Sequence, residues 1–131
     1  MLQVHRFYLN NALQNYNYMI TDTESSDCVA IDPTNADQSL EFCMLKQLQP
    51  TAIWLTHQDQ DHIGGAEELS QYFDIPIVCS EFLTPHFSNT VTVTHNSIAL
   101  IGQYEFTVMA TPGHCHDHLC FVESANKSLL F

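Results

Sequence analysis

The feature that most constrains this chain is a group of ionisable side chains directly after an apolar segment. Residues 52–55, A-I-W-L, are predicted to form a buried strand, apolar on both faces as parallel strands are. Residues 56–65 are T-H-Q-D-Q-D-H-I-G-G, which places two imidazoles and two carboxylates within six positions. Zinc and similar ions bind imidazole nitrogen and carboxylate oxygen. The pattern therefore predicts a metal site at the carboxyl end of a strand, where α/β proteins usually bind ligands.

The spacing of these candidate ligands predicts more than one ion. In a tight loop after a strand, His57 and Asp59 are expected to point towards one position. Asp61 and His62 are then expected to point towards a neighbouring position. A catalytic site also leaves one coordination position open for water or substrate. The alternation thus favours two adjacent metal ions over one.

A second run of candidate ligands follows another predicted strand. Residues 111–118 are T-P-G-H-C-H-D-H, and the Pro-Gly turn is expected to present His114 sharply. His116 and His118 are either hydrogen-bond donors behind the metal ligands or plain turn residues. Cys115 is either a soft ligand or, more in keeping with its surroundings, a packed thiol. The two runs converge only if the strands before them are neighbours, which a β-α-β arrangement permits.

The other histidines and the methionines are not assigned to the site. His5, His86 and His95 stand alone in the sequence and are interpreted as ordinary surface or hydrogen-bonded core residues. The methionines within apolar segments are predicted to be core residues, namely Met19, Met44 and Met109.

The amino-terminal part of the chain predicts an antiparallel meander followed by a helix. Strands are expected over residues 4–8, 16–21 and 28–31, with a turn at Asn10-Asn11. A helix is expected from Ala36 until Pro50 closes the segment. Its apolar stripe is predicted from residues that recur at a spacing of four and from their neighbours, namely Leu40, Met44, Leu48, Cys43 and Leu45.

The next elements predict two β-α-β units, and the remainder is rich in strands. The strand at 52–55 is followed by a short helix over 66–73 and a strand at 77–79. No repeat or linker divides the chain, so we expect one domain over residues 1–131. Later strands are expected at 91–93, 98–101, 106–109, 119–122 and 128–131.

Composition limits the partners and the compartment. The chain has fifteen acidic residues against three basic ones and a net charge of −12, so its field repels phosphate backbones and anionic lipid headgroups. Nucleic acid and membranes are therefore not expected as partners. Five cysteines without a C-x-x-C pair fit free thiols in a reducing compartment. Because the sequence also shows no signal peptide and no long apolar run, we expect a soluble cytoplasmic protein.

The two motifs together resemble the signature stretches of the metallo-β-lactamase superfamily. T-H-Q-D-Q-D-H-I-G-G and T-P-G-H-C-H-D-H-L-C-F-V are most similar to those of glyoxalase II, the hydroxyacylglutathione hydrolases. The order of elements agrees from Asn15-Tyr16-Asn17-Tyr18 through Ile31-Asp32-Pro33 to the end of the chain. The resemblance implies an αββα sandwich, an α/β fold of which this chain is about the amino-terminal half.

The resemblance also assigns roles to the candidate ligands. It implies that His57 and His114 bind the first metal and that Asp61 and His62 bind the second. Asp59 stands where the family pattern H-x-H-x-D-H has its middle histidine. The family implies zinc, but a harder, anionic oxygen shifts the preference towards manganese, iron or magnesium. The family's bridging aspartate and final histidine ligand are expected after Phe131, and without them Asp61 and His62 are too few to hold an ion tightly.

The function implied by the resemblance is metal-dependent hydrolysis of a thioester such as an acylglutathione. A metal-bound hydroxide would attack the acyl carbonyl. The metal would stabilise the oxyanion, and the thiolate would leave with little help from an acid. Asp59 and Asp61 are the candidate catalytic residues because either carboxylate is able to orient the attacking water.

Two other interpretations stay open at this stage. The chain is alternatively a catalytically incomplete fragment or pseudoenzyme with a partial metal site. Because Leu129-Leu130-Phe131 is apolar to the last residue, we expect truncation and self-association through an uncovered carboxy-terminal strand. A third interpretation is a mononuclear iron enzyme of the persulfide dioxygenase kind, with His57, His114 and either Asp59 or the missing aspartate as ligands.

Overall fold

Two β-sheets pack against each other in this chain, for which we analysed a computed structural model. The structure describes residues 1–8, 16–56, 65–110 and 119–125. The first sheet has six described strands in the order β1 (Leu2–Tyr8), β2 (Tyr16–Asp22), β3 (Cys28–Ile31), β4 (Ala52–Trp54), β5 (Ile77–Cys79) and β6 (Thr90–Thr92). The second has three, in the order β7 (Ile98–Ile101), β8 (Tyr104–Ala110) and β9 (Leu119–Glu123).

The strand pairing confirms both the predicted meander and the two predicted β-α-β units. β1, β2 and β3 pair antiparallel, whereas β3, β4, β5 and β6 pair parallel. Helix α1 (Ala36–Lys46) connects β3 to β4, and helix α2 (Ala66–Phe73) lies between β4 and β5. A short 3-10 helix covers Thr84–His86. The turn predicted at Asn10-Asn11 and the strand predicted at 128–131 lie outside the described residues.

Helix α1 begins and ends where its sequence provides caps. The Asn35 side chain accepts a hydrogen bond from the Gln38 backbone N–H at 3.0 Å, which satisfies one of the donors that a helix start leaves open. Gln47 ends the helix in the left-handed conformation, with φ at 56°. The predicted helix is therefore confirmed, with Pro50 four residues after its last residue, Lys46.

The apolar stripe predicted for α1 is partly wrong. Met44 is 79% exposed and Leu45 is 75% exposed, while the helix buries Ala36, Ser39 and Cys43. Consecutive residues are about 100° apart around a helix of 3.6 residues per turn, so Met44 points away from the face on which Cys43 lies. The prediction that Met109 is a core residue is also wrong: it is 42% exposed on the outer face of β8, next to the fully buried Val108.

Each face of the first sheet contributes to a separate core. Alternate residues along a strand point to opposite faces, so Ile53 packs with the helices and Trp54 packs with the second sheet. Trp54 stacks on Phe121 with ring centroids 4.6 Å apart and meets the edge of Phe106 at 5.2 Å. Burial on both faces explains why the segment around β4 is continuously apolar.

The layers are therefore helix, sheet and sheet, which are three of the four layers of an αββα sandwich. Both described helices pack on the first sheet, with Cys43 of α1 and Leu69 of α2 in the same core cluster. Within the described ranges, the structure has no helix long and apolar enough to cross a membrane.

Candidate metal centre

All of the predicted metal ligands lie in two segments outside the described residues. The first segment, 57–64, contains His57, Asp59, Asp61 and His62, and the second, 111–118, contains His114. Cys115, His116 and His118 fall in the second segment as well. Among the residues that are described, no three His, Cys, Asp or Glu side chains are grouped to hold a metal ion. What the structure defines is how the two segments are attached to the fold.

Both ends of the first segment are attached to the loop that follows β3. Thr56, the residue before His57, donates its backbone N–H to Oδ1 of Asp32 at 2.7 Å and its hydroxyl to Oδ2 of Asp32, also at 2.7 Å. Gly65, the residue after the segment, donates its backbone N–H to the Pro33 carbonyl at 2.9 Å. The residues on either side of the segment are thus hydrogen-bonded to Asp32 and Pro33, two consecutive residues of one loop.

Asp32 is itself held from several directions. Its backbone N–H donates to the Trp54 carbonyl at 2.9 Å, which continues the pairing of β3 with β4. Asn17 donates from its side chain to the Asp32 carbonyl at 3.3 Å and to the Thr34 hydroxyl at 3.2 Å. A hydrogen bond to an ionised carboxylate is stronger than one between neutral groups. The two bonds from Thr56 to Asp32 therefore fix the point at which the first segment leaves the sheet.

Gly65 also has a steric reason to be glycine. A Cβ atom at this position would lie 2.7 Å from the Ala36 backbone nitrogen and 2.9 Å from the Asn35 carbonyl carbon. Real Cβ atoms do not approach backbone atoms so closely, so only glycine allows the start of α2 to touch the start of α1. This contact explains the second glycine of the predicted motif.

The residues that flank the second segment pair with each other, and one of them is bonded to Thr56, which flanks the first segment. Ala110, the last residue of β8, pairs with Leu119, the first residue of β9. The Leu119 backbone N–H donates to the Thr56 carbonyl at 2.7 Å. The two segments that hold every predicted ligand are therefore joined through one short hydrogen bond between their flanking residues. The positions of the ligands themselves stay a prediction.

The donor set fits a divalent cation. Two separate segments supply imidazoles and carboxylates, which are ligands for zinc, iron and manganese. The net charge of −12 also favours the binding of a cation over an anion. The hydrogen bond between Thr56 and Leu119 joins the flanks of the two segments that contain the predicted ligands.

Three of the four cysteines that the structure describes are packed thiols. Burial raises the pKa of Cys28 to about 12 and the pKa values of Cys43 and Cys79 to about 11, so these thiols stay protonated at neutral pH. All three are buried in the core between the helices and the first sheet. Free thiols in this state are poor metal ligands and poor nucleophiles.

Two of the three isolated histidines that the sequence left as ordinary residues make specific contacts. His5 lies 3.0 Å from the Thr21 hydroxyl through Nε2, and burial, followed by the charge of Lys46, lowers its pKa. His95 accepts a hydrogen bond from the Ala110 backbone N–H, directly before the second segment. These contacts agree with the interpretation of His5 and His95 as ordinary hydrogen-bonded residues. The sequence did not predict the partner of His95, nor the bonds from Thr56 to Asp32. Neither follows a local pattern, because each contact joins residues that are distant in the chain.

Comparisons with known proteins agree with the geometry. The sequence profile of the Metallo-beta-lactamase superfamily matches residues 12–131. The hydroxyacylglutathione hydrolase of Francisella tularensis subsp. novicida (strain U112) is 35% identical over 128 residues, which are 98% of this chain and 50% of that protein. The chain thus spans about half the length of the curated relatives it matches.

Solved structures share the fold at lower sequence identity. BLEG-1 B3 metallo-beta-lactamase superposes with a TM-score of 0.80 at 23% identity, covering 98% of this chain and 70% of that chain. TTHA1623, solved in a di-iron-bound form, superposes with a TM-score of 0.74 at 24% identity, covering 91% of this chain and 66% of that chain. At these identities the similarity concerns the fold.

Proposed function

This chain belongs to the metallo-beta-lactamase superfamily, and from that premise we propose that it is part of a glyoxalase II-type hydrolase that cleaves a thioester such as an acylglutathione. The single observation that carries the proposal is the hydrogen bond of 2.7 Å from Leu119 to Thr56, which joins the flanks of both ligand segments. The identity of 35% to a hydroxyacylglutathione hydrolase supports the choice of reaction.

The proposed site is held by five side chains from the two segments. His57, His114 and Asp59 hold one metal, while Asp61 and His62 contribute to a second. When bound, the divalent metal lowers the pKa of a coordinated water and polarises the acyl carbonyl. Zinc is the metal that the family resemblance favours, whereas the carboxylate of Asp59 favours iron or manganese. A relative of the same fold with two bound irons supports iron as a candidate.

The chain's own residues position the reactants. Asp59 or Asp61 accepts a hydrogen bond from the attacking water and holds it in line with the carbonyl carbon. Asp32 acts one step further away, because its carboxylate fixes Thr56 directly before His57. No acid group is needed for the leaving thiolate, since the pKa of a thiol is low compared with that of an alcohol. The acidic chain selects against phosphate-bearing partners such as nucleic acid.

The compartment and the assembly are part of the same proposal. Cys28, Cys43 and Cys79 are free thiols buried in the core, which supports a reducing environment such as the cytoplasm. The second candidate function is self-association, which applies if the chain is a catalytically incomplete fragment. It is favoured by Ile98 and Leu100, which are 51% and 58% exposed on one face of β7.

The test uses the chain itself and a fusion to the carboxy-terminal half of the Francisella relative. Each protein is loaded with zinc, iron or manganese, bound metal is measured by elemental analysis, and hydrolysis of an acylglutathione is followed by thiol release. We expect bound metal in both proteins and turnover in the fusion. Oxygen uptake with a persulfide substrate, in place of hydrolysis, would instead support the persulfide dioxygenase interpretation. If neither protein bound metal or turned over substrate, the pseudoenzyme interpretation would remain.

A further inference from the structure

His95 fills a position in the β7–β8 pairing that a backbone carbonyl would normally occupy. Antiparallel strands exchange hydrogen bonds at every second residue. Val108 of β8 makes both of its bonds to the loop before β7, donating to the Ser97 carbonyl at 2.8 Å and accepting from the Asn96 N–H at 2.7 Å. Two residues further along, the Ala110 N–H donates to Nδ1 of His95 at 3.0 Å.

The loop before β7 explains why a side chain takes this place. Asn96 has a φ of 73°, in the left-handed region, so the backbone turns sharply here. The turn is closed by the Ser97 N–H, which donates to the Thr94 carbonyl at 3.0 Å, and by the Thr94 N–H, which donates to the Ser97 hydroxyl at 2.9 Å. The backbone therefore leaves the line of the sheet, and the imidazole of His95 continues the pairing by one bond.

This bond restricts the chemical state of the imidazole. A ring nitrogen that accepts a hydrogen bond carries a lone pair, so the proton of the neutral ring lies on Nε2. The opposite side of Ala110 faces Leu119, which is attached to Thr56. Ala110 is thus held between His95 on one side and Leu119, which is bonded to Thr56, on the other. It is also the residue from which segment 111–118, with His114, departs.

We propose that His95 is a positioning residue for His114, which sets the departure of segment 111–118 through its bond to Ala110. The inference rests on the proposed function, because His114 needs a fixed position only if it binds a metal. A group that orients a ligand without touching the metal changes metal affinity without changing the ligand set. Loss of one hydrogen bond is expected to weaken metal binding by about two- to tenfold.

The test compares two substitutions of His95 in the full chain. His95→Leu removes the acceptor, whereas His95→Asn keeps an oxygen acceptor close to the position of Nδ1. Cobalt(II) serves as the metal probe, with affinity and visible spectrum measured by titration. Exchange of the Ala110 amide with solvent and the tautomer of the His95 ring are measured by NMR in the metal-free chain. His86→Leu is the matched control, because His86 is an exposed histidine of the 3-10 helix.

We expect the Nε2–H tautomer in the wild-type chain, and faster Ala110 exchange with weaker cobalt binding in His95→Leu. His95→Asn should recover most of both, and His86→Leu should change neither. Equal cobalt affinity in wild type and His95→Leu would overturn the role of His95 alone, as would equal losses in His95→Leu and His95→Asn. A wild-type chain that binds no cobalt would overturn the proposed function and the role of His95 with it.

Discussion

At the scale of single residues, the least usual feature of the proposed site is a carboxylate where the family pattern has a histidine. As a proposed ligand of the first metal, Asp59 would add a negative charge and a hard oxygen, which favour manganese or iron over zinc. We expect Asp59→His to raise the share of zinc bound from an equimolar mixture of zinc, iron and manganese, as measured by elemental analysis. Asp37→His is the matched control, because Asp37 is an exposed acid on α1. Unchanged zinc occupancy in Asp59→His would contradict its assignment as a ligand.

Asp32 provides a second test at the same scale, within the described residues. Its two oxygens each accept one bond of 2.7 Å from Thr56. Asp32→Asn replaces one acceptor with an amide that faces another donor, so we expect the free energy of unfolding to fall by about 1–3 kcal/mol. Urea denaturation measures this loss. Thr56→Ser keeps both donors and should cost less, and equal losses in the two variants would show that the hydrogen bonds to Asp32 are not the cause.

At the scale of elements, Gly65 joins the start of α2 to the start of α1. A Cβ atom there would meet backbone atoms of Ala36 and Asn35, which belong to a capped helix start and have little room to move. We expect Gly65→Ala to lower the free energy of unfolding by about 1–3 kcal/mol, as overpacking does, and to weaken metal binding by the preceding segment. Thermal unfolding followed by circular dichroism measures the first effect. Glu68→Ala on the exposed face of α2 is the control, and equal stability of the two variants would contradict the close contact.

The elements themselves were largely predictable from the sequence, whereas their contacts were not. Apolar runs and turn residues predicted the nine described strands, with ends within two residues of those observed, and both described helices, because these signals are local. The prediction that Met44 lies in the apolar stripe of α1 was wrong, since a spacing of four identifies a helix face but not which edge of that face meets the core. The bonds from Thr56 to Asp32 and from Ala110 to His95 join residues 24 and 15 positions apart, and no local pattern encodes them. The motifs thus predicted which residues are ligands, and the fold supplied the positions of the residues that flank them.

At the scale of the whole molecule, the two sheets differ in how they are covered. The first sheet packs against α1 and α2 on one face and against the second sheet on the other. The opposite face of the second sheet carries exposed apolar side chains, namely Ile98, Leu100 and Met109 at 51%, 58% and 42% exposure. Adjacent exposed apolar residues of this kind mark surfaces that associate. The carboxy-terminal residues 129–131, at which association was expected from the sequence, lie outside the described part of the chain.

We therefore expect the chain by itself to self-associate through this outer face, despite a net charge of −12. Ile98 and Leu100 alternate with the buried Ala99 and Ile101, so polar residues at the two exposed positions leave the core intact. The double substitution Ile98→Thr and Leu100→Thr should shift the chain towards monomer in sedimentation experiments over a range of concentrations. Threonine is β-branched, a shape that strands favour, so stability should change little at either exposed position. Val91→Thr on the edge strand β6, also an exposed apolar position, is the control. A wild-type chain that is monomeric at all concentrations would show that this face is not a self-association surface.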